Sequence, residues 1–310
     1  MPTRTANAIL PSGAQINRYK IQRRMAEGGY GVVYQGVRDD GKEVAIKEFL
    51  PSLIFCRRND DHGLVTIPDP NEALRFSKGL EAFFREADTL SRIHNDRIIS
   101  ILDVFRANGT AYFAMPMEKG YTLRTLMRTQ RWLGDDTVRR LFVEAAHGVE
   151  ILHRARVLHL DLKPDNLWLR PDGSVVVLDL GASRWTDEEA GTQRLARTPG
   201  FAAPEQHRGR LISRDERTDV YGLAASLRAC LDGDSPPPAP HRALDESVGP
   251  KHWGRRSSRL LQVIDKGMAL EPENRFQSVA EFRHALEEIP RLSGRGPWVS
   301  HLDESAPAFA

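Results

Sequence analysis

The alternation of apolar and polar positions changes character along the chain. Over residues 19–47, short apolar stretches, Val32-Val33-Tyr34 and Val44-Ala45-Ile46, are separated by glycine-containing turns. This predicts strands, with a hairpin turn at Asp39-Asp40-Gly41. Leu80, Phe83, Phe84, Ala87 and Leu90 then recur at helical spacing. Residues 98–105 and 110–115 read as two strands joined at Asn108-Gly109. After Gly120 helical periods dominate, first over 122–130 and then over 135–154, where Leu141, Ala145, Val149 and Leu152 form an apolar stripe. A short strand over 175–178 follows a turn at Pro171-Asp172-Gly173, and the remainder reads as mostly helical, broken by a proline-rich loop over 235–240. Residues 1–18 read as a flexible polar leader, 51–77 as irregular, and the Gly/Pro/Ser-rich 291–310 as a disordered tail. Strands first and helices afterwards predict an α+β chain of two lobes rather than a doubly wound sheet.

Composition narrows the class. A chain of 310 residues with 40% hydrophobic and 28% charged residues has the material for a sizeable soluble core. The 44 Lys and Arg are nearly balanced by 42 Asp and Glu, which argues against a nucleic-acid partner. Two cysteines, Cys56 and Cys230, exclude a disulfide scaffold and a cysteine-rich zinc module. No apolar run approaches the roughly 20 residues of a membrane span, and the N-terminus lacks a signal-peptide core. A cytoplasmic location is expected.

The candidate chemistry begins with a false lead. Residues 36–42 match the spacing G-x-x-x-x-G-K, but Glu43 stands where a phosphate-binding loop needs Ser or Thr, and a strand follows instead of a helix. The turn at 28–31, Gly28-Gly29-Tyr30-Gly31, lies between two strand-like stretches, where glycines let backbone N–H groups approach phosphates. Taken singly, it reads better as a plain glycine turn. Lys47 ends an apolar strand, and Glu86 sits beside the apolar face of a helix, where a carboxylate is costly unless paired. The decisive stretch is His159-Leu160-Asp161-Leu162-Lys163-Pro164-Asp165-Asn166, followed at a strand end by Asp179-Leu180-Gly181. It supplies a base, a cation and hard oxygen ligands for Mg²⁺.

In this order the motifs resemble those of the eukaryotic-like (Hanks-type) protein serine/threonine kinases of bacteria, over roughly residues 19–290. The resemblance implies a two-lobed kinase-like fold. Its small β-rich N-lobe, with one main helix, covers 19–117 and includes an enlarged 48–80 segment; its larger helical C-lobe covers 118–290. It implies transfer of the ATP γ-phosphate to Ser/Thr hydroxyls of protein substrates, with autophosphorylation, and ATP and Mg²⁺ as cofactors. By the same resemblance Asp161 is the base, Lys163 neutralises the γ-phosphate, and Asn166 and Asp179 hold Mg²⁺. Ala26, Gly28, Gly31, Val33, Ala45, Lys47, Glu86, Met115, Pro116 and Glu118 form the nucleotide site, with Lys47 paired to Glu86. Pro116 keeps the carbonyl that adenine uses and lacks only an N–H. Thr198 matches the threonine that contacts Asp161 and Lys163, Glu205 and Arg275 an ion pair, and Asp219 the anchor of the catalytic loop. Leu90, Ile101, His159 and Leu180 match a packed column, which makes His159 a packing and hydrogen-bonding residue.

Four residues depart from the family pattern: Ala26 replaces the first glycine of the loop, Leu180 a phenylalanine, Arg197 a glycine and Leu160 an arginine. The last removes the main cation that would receive an activating phosphate. The long 48–80 segment reads as a regulatory-partner surface or as an exposed loop. The alternative function is a pseudokinase-type nucleotide-binding or scaffolding module, against which stand Lys47, Asp161 and Asp179. A small-molecule phosphotransferase would lack Ala203-Pro204-Glu205.

Overall fold

A computed structural model describes residues 9–52, 54, 57–58, 63–130, 133–185, 198–207, 214–243 and 257–290. The described chain separates into two compact units, the first up to His94 together with 99–119, the second comprising 95–98 and the residues from Gly120 onward.

In chain order the first unit holds strands β1 (Gln15–Ile16), β2 (Tyr19–Glu27), β3 (Gly31–Arg38) and β4 (Glu43–Phe49), then a short hairpin of β5 (Arg57–Arg58) and β6 (Val65–Thr66). Helix α1 (Pro70–Ser91) and strands β7 (Asp103–Ala107) and β8 (Thr110–Pro116) complete it. The main sheet is antiparallel, in the order β1-β2-β3-β4-β8-β7. The β3–β4 turn falls at Asp39-Asp40-Gly41, with Gly41 at φ +81°. The β7–β8 turn places Asn108 and Gly109 at φ +52° and +71°, the double left-handed conformation that matches strand twist.

Register sorts the side chains by face. Ala26 lies opposite Val33, Val33 opposite Lys47, Lys47 opposite Phe113, and Ala45 opposite Met115, so all of these share one face. Tyr34, Ile46, Glu48 and Tyr112 share the other. There the sheet curls on itself. Tyr19 stacks on Phe105 at 5.6 Å and Phe105 on Tyr112 at 5.4 Å, while Tyr19 Oη and Arg18 both donate to Asp103, so that the β1–β2 turn and the start of β2 meet the end strand β7.

Three expectations change in this unit. The helix reaches back to Pro70, into the stretch read as irregular. Asp69 Oδ1 accepts the Asn71 N–H at 2.8 Å and Pro70 takes the first helical position, where its missing donor costs nothing. Residues 9–18 are not a loose leader: Leu10 and Ile16 are buried, β1 pairs with β2, and the Leu10 N–H donates to Tyr34 Oη at 3.2 Å. Residues 1–8 and Cys56 lie outside the described residues. The strand expected from residue 98 begins only at Asp103: residues 95–98 belong to the second unit, and the chain joins the first unit's sheet where the Leu102 N–H donates to the Ala114 carbonyl at 2.8 Å. The Val177 N–H donates to the Arg97 carbonyl and Ile98 bridges to Val177.

The second unit begins with β9 (Tyr121–Thr122), α2 (Leu123–Thr129), α3 (Asp135–Arg154) and β10 (Val157–Leu158). Strands β11 (Leu167–Leu169), β12 (Val175–Val177) and β13 (Arg184–Trp185) follow, then α4 (Pro204–His207), α5 (Glu216–Asp232), α6 (Ala239–Arg242), α7 (Ser258–Gly267) and α8 (Val279–Glu287). The apolar stripe of α3 is buried as its period predicts, and α3 packs on α5 and α8. Helix α5 is buried on every side from Thr218 to Leu231, the signature of a central helix. The loop expected over 235–240 already turns into α6 at Ala239, with Pro240 in its first turn. The tail 291–310 lies outside the described residues, among which no helix is long and apolar enough to cross a membrane.

Candidate active site

In the first unit, Lys47 lies within β4, which runs two residues beyond it to Phe49, and its Nζ is 2.7 Å from Glu86 Oε1 on α1, with only 4% of the Glu86 side chain exposed. Lys47 also lies over the Phe113 ring, 5.2 Å from its centroid. A pair this buried is costly to break, because either partner alone would be an uncompensated charge. The turn between β2 and β3 closes through the Gly28 N–H, which donates to the Gly31 carbonyl at 2.9 Å. A Cβ on Gly31 would lie 2.2 Å from the Glu48 carbonyl oxygen, so that position admits no side chain. Gly28 is exposed, with open space around it. Ala26 sits within extended β2, where its methyl is accommodated. Met115 is buried, while Pro116 ends β8 and Glu118 lies just beyond it, both half-buried.

In the second unit, the loop after β10 is fixed from below by Asp219 on α5. Its carboxylate accepts the N–H groups of His159 and Leu160, each at 2.8 Å, and His153 Nε2 at 2.8 Å. Asp219 is fully buried, which alone would raise its pKa, but the bonds from His153 and His159 hold it below the ordinary value. His153 responds in the opposite sense. Burial pushes its pKa down, but Asp219 and Glu216 outweigh that and raise it to about 9. Its Nδ1 lies 3.4 Å from Glu216 Oε2, near enough for charge attraction but off the angle of a hydrogen bond. His159 Nε2 donates to the Leu178 carbonyl at 3.0 Å, and its Nδ1 accepts the Asp161 N–H at 3.3 Å. Both ring nitrogens are thereby engaged with main-chain groups.

Asp161, Lys163, Asn166 and Thr198 converge. Thr198 Oγ1 donates to Asp161 Oδ1 at 2.7 Å, and Lys163 Nζ reaches Asp161 Oδ2 at 2.5 Å and Thr198 Oγ1 at 3.1 Å. Asn166 Nδ2 donates to the Asp161 carbonyl at 2.8 Å. The Leu178 N–H donates to the Asn166 carbonyl at 2.9 Å, which joins this loop to the strand end that carries Asp179. Asp179 adopts φ +57° and its Oδ1 accepts the Gly181 N–H at 3.3 Å. The donor set suits Mg²⁺: the amide nitrogen of Asn166 is engaged, which presents its carbonyl oxygen, and Asp179 adds a carboxylate. One or two protein oxygens completed by phosphates and water are what this ion takes.

Behind these groups, Arg275 grips Glu205 with two bonds, at 2.7 and 2.9 Å, and Thr218 Oγ1 donates to the same carboxylate at 2.8 Å. Leu90, His159 and Leu180 are buried and Ile101 is half-buried, each within its own unit. Arg197 lies outside the described residues.

Sequence reasoning missed three residues. Glu48, fully buried, accepts Tyr34 Oη at 2.7 Å and Tyr112 Oη at 2.5 Å. A charged residue inside the apolar run 44–50 was the available signal. His153 gave none beyond its place on the helix. Gln206, 2% exposed, donates to the Leu160 carbonyl and accepts the Ala203 N–H.

The protein kinase domain family matches residues 19–287. Serine/threonine-protein kinase Pkn1 of Myxococcus xanthus is 27% identical over 91% of this chain and 40% of its own length. A probable serine/threonine-protein kinase of Clostridium perfringens is 26% identical over 89% and 38%. PknB of Mycobacterium tuberculosis is 29% identical over 71% and 36%. The chain thus spans less than half the length of these curated relatives. Among solved structures, PpkA-294 in its apo form superposes with a TM-score of 0.78 at 30% identity, over 90% of this chain and 99% of that one. A family match over most of the chain, with the lysine–glutamate pair, the Asp161 loop and the Glu205–Arg275 bridge each built within its unit, establishes that this chain belongs to the protein kinase domain family.

Proposed function

We propose that the chain is a protein serine/threonine kinase that transfers the ATP γ-phosphate to a Ser or Thr hydroxyl of a protein substrate. The observation that carries this reading is the engagement of Asp161 by Thr198, Lys163 and Asn166. A carboxylate so oriented aligns a substrate hydroxyl and accepts its proton on Oδ1 or Oδ2 as the phosphoryl group moves. Lys163, beside it, offsets charge on the transferred group. In the first unit, Lys47, kept in place by Glu86, binds the α/β-phosphates. Ala26, Gly28, Gly31 and Val33 cover the nucleotide, Ala45 and Met115 line the adenine side, and Pro116 and Glu118 supply main-chain groups to the base. Asn166 and Asp179 hold Mg²⁺, which neutralises phosphate charge when bound.

The lobes of this reading are 19–117 and 118–290, and ATP dependence supports a cytoplasmic site of action. The 48–80 segment includes the start of the helix that carries Glu86 and exposes Leu64 and Leu74, which supports a regulatory partner acting there on the Lys47–Glu86 pair.

Incubation with radiolabelled ATP, Mg²⁺ and a general protein acceptor, followed by phosphoamino-acid analysis, tests the reading. Phosphoserine or phosphothreonine is expected. A raised melting temperature with Mg²⁺–ATP but no transfer would favour a nucleotide-binding scaffold.

A further inference from the structure

Leu160, the residue before Asp161, is buried and adopts φ +64°, a left-handed conformation that a branched side chain rarely takes. Something must hold it there. Its N–H is taken by Asp219 Oδ1 at 2.8 Å. Its carbonyl, which belongs to the peptide group leading directly into Asp161, accepts Gln206 Nε2 at 2.8 Å. The N–H of that same peptide group donates to His159 Nδ1. The peptide plane that aims Asp161 is thus clamped at its oxygen and at its nitrogen.

Gln206 is fixed at both ends. Its Oε1 accepts the Ala203 N–H at 2.8 Å, so its amide spans from one main chain to another with donor and acceptor each used once. Ala203 follows directly on the turn that Thr198 closes, where the Phe201 and Ala202 N–H groups donate to the Thr198 carbonyl. Thr198 in turn donates to Asp161. The bonds form a ring: Asp161, Thr198, the 198–203 turn, Gln206, Leu160 and back to Asp161.

We infer that Gln206 is a positioning residue for phosphoryl transfer: it couples the 198–206 segment to the catalytic loop through neutral main-chain hydrogen bonds. Leu160 offers no charge to a phosphorylated residue, and the ring needs none. The inference rests on the kinase reading above.

The test is steady-state kinetics on a Ser/Thr peptide with the full chain. Gln206→Met removes both bonds at nearly constant volume, and Gln206→Asn keeps both groups but shortens their reach. For both, kcat should fall tenfold or more while KM for ATP stays within about twofold, because the nucleotide groups are untouched. Thr198→Ala should cost much less in the Gln206→Asn background than in the wild type, since either change opens the same ring. A purely structural role would give independent, multiplying losses. Either such losses, or kcat within twofold of wild type in folded Gln206→Asn protein, overturns the inference while leaving the kinase reading intact. An inactive wild type overturns both. If Gln206→Met does not fold, Gln206→Asn and the cycle with Thr198 decide.

Discussion

Arg275 and Glu205 stand 70 positions apart and meet through two hydrogen bonds, with the Arg275 side chain wholly excluded from water. The remaining guanidinium donors reach the carbonyls of Ala269, Leu270 and Arg217, so the buried cation is fully engaged. Burial alone would raise the Glu205 pKa, yet the arginine holds it below its ordinary value. Removing one partner leaves the other charged and unpaired. Arg275→Ala should therefore lower unfolding free energy by about 3–5 kcal/mol, read from urea denaturation.

His153 makes stability depend on pH in the alkaline range. Its folded pKa of about 9 lies above the ordinary 6.5. A raised pKa gives a contribution that is complete below about pH 6.5 and is lost as pH climbs through 9. The melting temperature should fall between pH 7 and pH 9.5 by more in the wild type than in His153→Gln, which cannot titrate. Differential scanning calorimetry across that range is the check, and parallel curves would contradict it.

Asp161→Asn and Asp179→Asn separate chemistry from folding. Neither side chain belongs to an apolar core, so both proteins should melt within a few degrees of the wild type. Phosphotransfer should drop by about two orders of magnitude or more, the scale of a lost base or of a weakened electrostatic site. Single-turnover assays at saturating Mg²⁺–ATP measure this. Retained activity in Asp161→Asn would remove the proposed base.

With leucine at position 160, activity should not require phosphate on the segment between Asp179 and Glu205. Phosphatase treatment, or alanine at Ser183, Thr186 and Thr192 together, should change the initial rate on an external substrate by less than about tenfold, or ~1.4 kcal/mol of barrier. A larger loss would mean that Arg184, Arg194 or Arg197 supplies the missing cation.

Much of this could be read from the sequence because its signals are local. The period of α3 is regular enough to give both ends of the helix, and the Asp161 loop places its polar groups within a few residues of one another. The start of α1 was hidden because residues 71–78 show little apolar period, and the cap at Asp69-Pro70 had to be weighed by itself. Ile16 and Leu10 looked like a loose leader because their burial depends on a sheet formed later in the chain. Glu48 and Gln206 escaped for a related reason. The first is satisfied by two tyrosines from other strands, and the second by main-chain groups. Neither partner has a sequence spacing.

The curl of the first unit's sheet also bears on self-association. A free sheet edge is a template for a strand from another molecule. Here one end strand, β1, is two residues long, and the other, β7, has five. Tyr19 at the start of β2 and Arg18 in the β1–β2 turn reach Asp103 on β7. An incoming strand would find a short, charged edge already bridged by side chains. Asp103→Ala would open that bridge, making edge-to-edge polymerisation the failure to look for in such a variant.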